Sequence, residues 1–248
     1  MMTTQTLILA MILIAAAACL QAMVGFGFAL AVMAFLPFLI DYTQSLVITQ
    51  AIGLISTAAV AIRYRKKIRY DILMPLLAPS LVLSLIFSIV SVKAPGRVLF
   101  IMLGVVLIIL SVWFLGFSDR IHIRPTRRNG LIAGVLCGIG SGLFAVSGPQ
   151  AAVYLLEVVD DKEEYRATIQ AFFAITNIVC VSVRCLMGVL PLSGFKVIAG
   201  GVIAMIPGLL LGFALFGRIN GGLLKKLVYI TIGVNGVWIV LSRLTGLY

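Results

Sequence analysis

Polar residues at regular spacing in an otherwise apolar chain are the first candidates for chemistry. Gln170, Asn177 and Arg184 are seven residues apart each time, and Gln50, Thr57 and Tyr64 repeat that spacing earlier in the chain. Seven residues return an α-helix to within ~20° of its starting direction and advance it ~10 Å, so each set is a line of hydrogen-bonding groups along one helix face. A second kind of candidate is a helix breaker. Ser147, Gly148, Pro149 and Gln150 interrupt "FAVSGPQAAVYLL", and Gly25 and Gly27 interrupt "VGFGFALAVMAFLPFL". The helix that restarts after a break presents unpaired N–H groups and a partial positive charge, which suits an oxyanion. Gly148 removes the side chain that would block close approach, and Pro149 fits an early helical position, where its missing N–H costs nothing. The other reading of the same residues is close helix packing with one proline kink.

The charged candidates are weighed separately. Arg166 follows "DDKEE"; it either draws an anion in from an aqueous vestibule or pairs with Glu163 or Asp161. Arginine at membrane depth is costly enough to point to function, but Arg184 stands near the end of its apolar run, where a long side chain snorkels to the interface, and that reading is the stronger one. Gln50 and Gln170 serve equally well as substrate contacts or as glue between helices. Glu157, a carboxylate inside an apolar run, is a candidate carrier of a coupling proton, although its place three residues before Asp160 favours an interfacial role. Asn235 reads as a helix contact.

Ordinary catalysis has little to build on. His122 is the one histidine, and Cys19, Cys137, Cys180 and Cys185 lack metal-ligand spacing and read as small buried hydrophobes. No phosphate-binding glycine loop with its lysine and no dinucleotide fingerprint occurs. The expectation is a protein that is not an enzyme, with no catalytic residue, no metal and no cofactor.

The elements that position these residues follow from composition. Of 248 residues, 62% are hydrophobic and 11% charged, more apolar side chains than a soluble core of this size can hide. Apolar runs at Thr6–Ile40, Gln44–Ile62, Ile72–Val92, Val98–Phe117, Gly130–Val159, Ala167–Leu192, Phe195–Phe216 and Leu223–Leu241 give eight helical segments, most near the ~20 residues that span ~30 Å of hydrocarbon. They do not alternate as barrel strands would. The expected fold is an all-α integral membrane protein, residues 1–248 forming a single membrane domain in the lipid bilayer. The start "MMTTQTLILAMILIAAAACLQA" lacks a basic leader region and reads as a first membrane segment. A net charge of +11 would point to nucleic acid in a soluble protein. Here the basic residues crowd two short loops, Arg63, Arg65, Lys66, Lys67 and Arg69 in one and Arg120, Arg124, Arg127 and Arg128 in the other, as cytoplasmic loops do, so no nucleic-acid partner is expected.

The chain also repeats itself. "ITQAIGLIST" (Ile48–Thr57) over "TIQAFFAITN" (Thr168–Asn177) pairs Gln50 with Gln170 and Thr57 with Asn177 at an offset of 120 residues. Gly27 then pairs with Gly148 after a one-residue gap, and Gly104 pairs with Gly233. Two homologous halves of four segments each, about residues 6–117 and 130–243, are expected, the first segment of each broken or re-entrant. Folding back at the breaks, instead of crossing once, concentrates more lysine and arginine on one side, so the charge bias favours re-entrant hairpins and inverted halves. Secondary transporters of this construction hold substrate near the bilayer midplane, where the broken helices meet.

"GFGFALAVMAFLPFL" in the first half, and "GLFAVSGPQAAVYLL" followed by "YRATIQAFFAITN" in the second, resemble the sulfite exporter TauE/SafE family of membrane transporters. The resemblance implies transport, with export the expectation, of small sulfur-containing anions such as sulfite or organosulfonates across the cell inner (cytoplasmic) membrane. On this reading Gly25, Gly27, Gln50, Thr57, Ser147, Gly148, Pro149, Gln150, Gln170, Asn177, Arg166 and Arg184 are the substrate-binding candidates. A passive anion channel, a carrier of another small organic anion such as a carboxylate, and a scaffold without substrate are the alternatives. Coupling to a proton or sodium ion and assembly as a homodimer are left open.

Overall fold

The computed structural model describes residues 4–24, 27–117, 126–215 and 221–244. These residues form ten α-helices: α1 Thr4–Val24, α2 Phe28–Phe35, α3 Tyr42–Arg63, α4 Tyr70–Lys93, α5 Gly96–Phe117, α6 Arg127–Phe144, α7 Gly148–Val158, α8 Lys162–Leu186, α9 Leu192–Leu215 and α10 Gly221–Leu244. Eight apolar runs become ten helices because Thr6–Ile40 splits into α1 and α2, and Gly130–Val159 splits into α6 and α7. Among the described residues six stretches are long and apolar enough to cross a membrane, Thr4–Met23, Tyr42–Arg63, Tyr70–Lys93, Gly96–Trp113, Lys162–Leu186 and Gly194–Gly212, while Phe28–Phe38 and Ile230–Ser242 are shorter apolar pieces. Helix is the form the sequence must take there, because a backbone in hydrocarbon has to satisfy its own N–H and C=O groups.

Several helix starts are fixed by acceptor side chains. Asp41 accepts from the N–H of Thr43 (2.9 Å) and Gln44 (3.2 Å) to begin α3, and Asp161 accepts from Glu163 and Glu164 (both 2.9 Å) to begin α8. Thr126 does the same for α6 through Asn129 (3.3 Å). Each such cap is worth ~1 kcal/mol. The N–H groups of Glu164 and Glu163, with Lys67 nearby, hold the Asp161 carboxyl below its ordinary range.

Small residues set the helix pairing. Along α6 the face Gly130, Gly134, Gly138 and Gly142 lies against α4; a Cβ at Gly138 would stand 2.8 Å from the Ser80 carbonyl, and one at Gly142 would stand 2.6 Å from Phe87 Cβ. Contacts advance together on both helices, so α4 and α6 run parallel. In the same way Gly200, Gly208 and Gly212 of α9 meet Met11, Ala15 and Cys19 of α1, again in parallel. The pairs α5 with α10 and α3 with α8 are antiparallel: Gly104 meets Ile239 while Gly233 meets Ser111, and Gln50 meets Arg184 while Gly53 meets Asn177. Close small-residue approach of this kind is how helices associate without a hydrophobic driving force.

These directions decide between crossing and folding back. Lys67 Nζ lies 3.7 Å from Glu163 Oε2 and Arg69 Nη1 lies 3.2 Å from Glu164 Oε2, so α8 begins on the face where α4 begins. Because α6 is parallel to α4, it begins there too, and the α6–α7 segment enters and leaves on one face. Within it, α7 runs back along α6: a Cβ at Gly140 would meet Gln150 Nε2 at 3.4 Å, and one at Gly130 would meet the Tyr154 hydroxyl at 2.9 Å. By the same reasoning α1 starts beside α9 on the opposite face, where α3 also starts, so α1–α2 is a hairpin entering from the other side. Arg63 to Arg69, Arg127, Arg128, Lys162 and Arg166 share the basic face, and Lys93, Arg97 and Lys196 lie on the other. Arg120, His122, Arg124 and Arg218 lie outside the described residues, as do the side chains of Lys225, Lys226 and Arg243.

A cysteine placed at Lys162 is expected to react with a membrane-impermeant thiol reagent from the same side as a cysteine placed at Lys66, after Cys185 is removed as an exposed background thiol. Labelling of the two positions from opposite sides contradicts the hairpin.

Candidate functional site

The two breaks meet halfway along α3 and α8, and the space between them is a cavity of ≈ 50 Å³. From the first break Gly27, Phe28, Ala29 and Leu30 line it, and from the second Ala145, Val146, Ser147, Gly148 and Pro149. Gly53 and Thr57 of α3, Phe173 and Asn177 of α8, and Gln21 of α1 close the remaining sides. At ~10–15 Å³ per water-sized occupant, this volume admits an ion of a few heavy atoms.

The second break sits slightly earlier than the sequence indicates. Helix α6 ends at Phe144, Ala145 takes a left-handed conformation (φ 58°), and α7 begins at Gly148. Gly148 and Pro149 are thus the first turn of α7. The left-handed residue on this side is Ala145, where a non-glycine residue costs roughly 1–2 kcal/mol, whereas the first break uses Gly27 (φ 103°) in the same role at no steric cost. Gly25 lies outside the described residues.

Neither restarted helix carries a side-chain cap. Gly27 before α2 and Ser147 before α7 make no capping hydrogen bond, in contrast to Asp41, Asp161 and Thr126. The N–H groups of Phe28, Ala29 and Leu30, and of Gly148 and Gln150, fall in first turns, where a helix has no acceptors of its own. Two helix N-termini, each equivalent to roughly +0.5 charge, therefore converge on one small cavity.

Neutral groups complete the lining. The Thr57 hydroxyl shares its one proton between the carbonyls of Gly53 (2.8 Å) and Leu54 (3.2 Å), which leaves its oxygen free to act only as an acceptor. The Asn177 amide nitrogen stands 3.5 Å from where a Gly53 Cβ would be. Gln21 Oε1 is buried and unpaired in the structure. Gln21 is absent from the sequence candidates, although "CLQAMVGFG" shows it as a lone amide one turn ahead of the first glycine.

Other candidates hold the site from outside. Gln50 donates to Ser141 O (3.1 Å) and Ser141 Oγ (3.3 Å), and its Oε1 accepts from Arg184 Nη1. Arg184 Nη2 donates to the Gly142 carbonyl and to Ser91 Oγ (3.2 Å), and the Tyr42 hydroxyl donates to the Leu143 carbonyl (2.8 Å). Gly142 and Leu143 carry carbonyls that the end of α6 leaves without helical partners, and the Ser141 carbonyl takes the Gln50 amide in addition to the Ala145 N–H (3.1 Å), so Gln50, Arg184 and Tyr42 together cap that end. Neither Gln50 nor Arg184 lines the cavity. Arg184 is also fully buried, a correction to the interfacial position that its place in the sequence favours: the seven-residue spacing gives its face but not what packs over it.

Gln170 is buried outside the cavity lining, and Gln150 points away from the cavity into an apolar groove between α5, α6 and α7. Arg166 is exposed on the first turns of α8, and Glu157 is exposed at the end of α7 on the basic face. Cys137 and Cys180 are buried, but Cys185 is exposed, which corrects its reading as a buried hydrophobe. Asn235 is buried with Oδ1 unpaired. Among the described residues no group of histidine, cysteine or carboxylate side chains could hold a metal.

A multi-pass all-α membrane protein with two helix breaks facing one small cavity, in which Gln21, Thr57, Ser147 and Asn177 stand among apolar side chains, has the form of a transporter of small solutes. The profile of the family described as "Sulfite exporter TauE/SafE" matches residues 9–239, and the chain belongs to that family of membrane transporters, which is not a family of enzymes. No curated protein and no solved structure matches the chain significantly.

Replacing Tyr42 by Phe leaves the Leu143 carbonyl short of its donor at the end of α6. The expected cost is about 1 kcal/mol, read as a lowered melting temperature of the purified protein; an unchanged melting temperature contradicts the capping role.

Proposed function

We propose that this chain is a secondary transporter that exports small sulfur-containing anions such as sulfite or organosulfonates across the cytoplasmic membrane. The observation that carries the reading is the convergence of the two uncapped N-termini, of α2 and α7, on one cavity. Peptide N–H groups recognise an oxyanion without any ionised partner, and a site that lacks a full charge releases its ion readily, as a carrier must. The first-turn N–H groups of Phe28, Ala29, Leu30, Gly148 and Gln150 face the anion, and Gly27, Ser147 and Pro149 shape the backbone around them. Asn177 supplies a neutral donor, and Thr57 and Gln21 complete the polar wall. Gln50 and Arg184 belong to the support of α6 and enter binding indirectly.

The two halves, about residues 6–117 and 130–243, are read as a duplication with inverted orientation. The packing supports this: α1 lies on α9 and α6 on α4, while α3 pairs with α8 and α5 with α10. Each of these four pairings then has its counterpart when the halves are exchanged. Alternating access follows if the two hairpins, entering from opposite faces, take turns opening the cavity.

Sulfite titration of purified, folded variants tests the site. Gly148→Val puts a branched side chain at the N-terminus of α7 and is expected to weaken sulfite binding by about tenfold to a hundredfold, the worth of one or two hydrogen bonds to a charged ligand. Ser147→Ala is expected to stay within about threefold, because Ser147 makes no cap. Lactate serves as the unrelated anion. Parental sulfite affinity in Gly148→Val places the anion site elsewhere.

A further inference from the structure

Arg184 has no exposed surface, and none of the ion pairs among the described residues reaches it. Its donors go to neutral acceptors, Gln50 Oε1, Ser91 Oγ and the Gly142 carbonyl, and the Cys180 thiol lies against it. A guanidinium removed from water without a counter-charge is costly, so the fold retains it against a penalty. Part of the compensation is the end of α6, whose carbonyls amount to roughly −0.5 charge.

That same end lies next to the cavity. Ala145, Val146 and Ser147 are the only residues between the last turn of α6 and the first turn of α7, and all three line the cavity. An anion there is attracted by the start of α7 and repelled by the finish of α6. The opposing contributions of a broken helix nearly cancel unless one of them is neutralised. The first break has no cation at the matching position, since at the 120-residue offset Tyr64, the residue just after α3, stands where Arg184 stands in α8.

We propose that Arg184 is a positioning residue whose charge, held against the C-terminal end of α6, cancels the repulsion of that end and biases the cavity toward anions, more strongly for doubly charged than for singly charged ones. This rests on the anion site proposed above and assigns the source of its charge preference. Arg184 acts on the ligand through the field and through the α6 terminus, with no contact to it. At an effective dielectric of ~20, a unit charge about one helix diameter away changes the affinity for a singly charged ligand by roughly tenfold, and the factor is squared for a doubly charged one.

The test compares methanesulfonate, which carries one charge, with sulfite at alkaline pH, which carries two, by titration of purified protein that is monodisperse and melts cooperatively. Arg184→Gln is expected to weaken methanesulfonate by about tenfold and sulfite by about a hundredfold, while Arg184→Lys, which keeps the charge, stays within about threefold for both. Gln50→Glu decides the matter if Arg184→Gln does not fold. It is isosteric, and its carboxylate pairs with Arg184 and neutralises the charge; it also gives up the two bonds that Gln50 donates to Ser141, so Gln50→Leu, which gives them up without adding a charge, is the reference against which the same tenfold and hundredfold losses are expected. Equal losses for the two anions in Gln50→Glu, or parental affinity for both, overturn the proposal and leave the anion site standing. A parent protein that binds neither anion overturns the anion site itself.

Discussion

A helix that stops inside a bilayer leaves polar ends that hydrocarbon cannot solvate, and how those ends are satisfied determines most of this protein. The finish of α6 is satisfied in full view: Gln50 and Arg184 from α3 and α8, with Tyr42 from the start of α3, occupy its last carbonyls. The starts of α2 and α7 are treated the opposite way. No side chain caps them, and both open into the cavity. The asymmetry between a closed C-terminal end and two open N-terminal ends creates a positive potential without placing a charged side chain in the site.

Holding two helix ends within reach of each other needs close packing, and the glycines provide it. With a side chain at Gly138 or Gly142, α6 could not lie against Ser80 and Phe87 of α4, and the break would shift away from α3 and α8. The antiparallel pair α3 and α8 is the axis of the arrangement, carrying Thr57 and Asn177 into the cavity and Gln50 and Arg184 to the end of α6. One helix face thus does two jobs at different depths: lining the site and supporting the hairpin tip.

Much of this was legible in the sequence because bilayer physics restricts the options. Apolar run lengths located the helices, the serine, glycine and proline of the second break marked where α7 restarts, and the clustering of arginine and lysine favoured hairpins over single crossings. The seven-residue stripe correctly grouped residues on one face but could not separate Asn177, which lines the cavity, from Arg184, which does not, since periodicity carries no information about what packs opposite. Ala145 in the left-handed region left no trace, because alanine has no preference for it. Gln150 was drawn to the break by adjacency, yet the first turn of α7 carries its side chain around to the apolar groove. The ladder Gly130, Gly134, Gly138 and Gly142 is readable at four-residue spacing, and it explains how closely α6 lies against α4.

The central claim is that a small oxyanion is held by backbone N–H groups between the starts of α2 and α7. The most direct measurement is anomalous diffraction from crystals grown with selenite, an isostere of sulfite whose selenium marks its own position. The account predicts one strong selenium peak in the cavity, within hydrogen-bonding reach of the first-turn N–H groups of both helices and of the Asn177 amide. A peak in direct contact with the Arg184 guanidinium, or selenium bound only at the exposed basic face with the cavity empty, would contradict it.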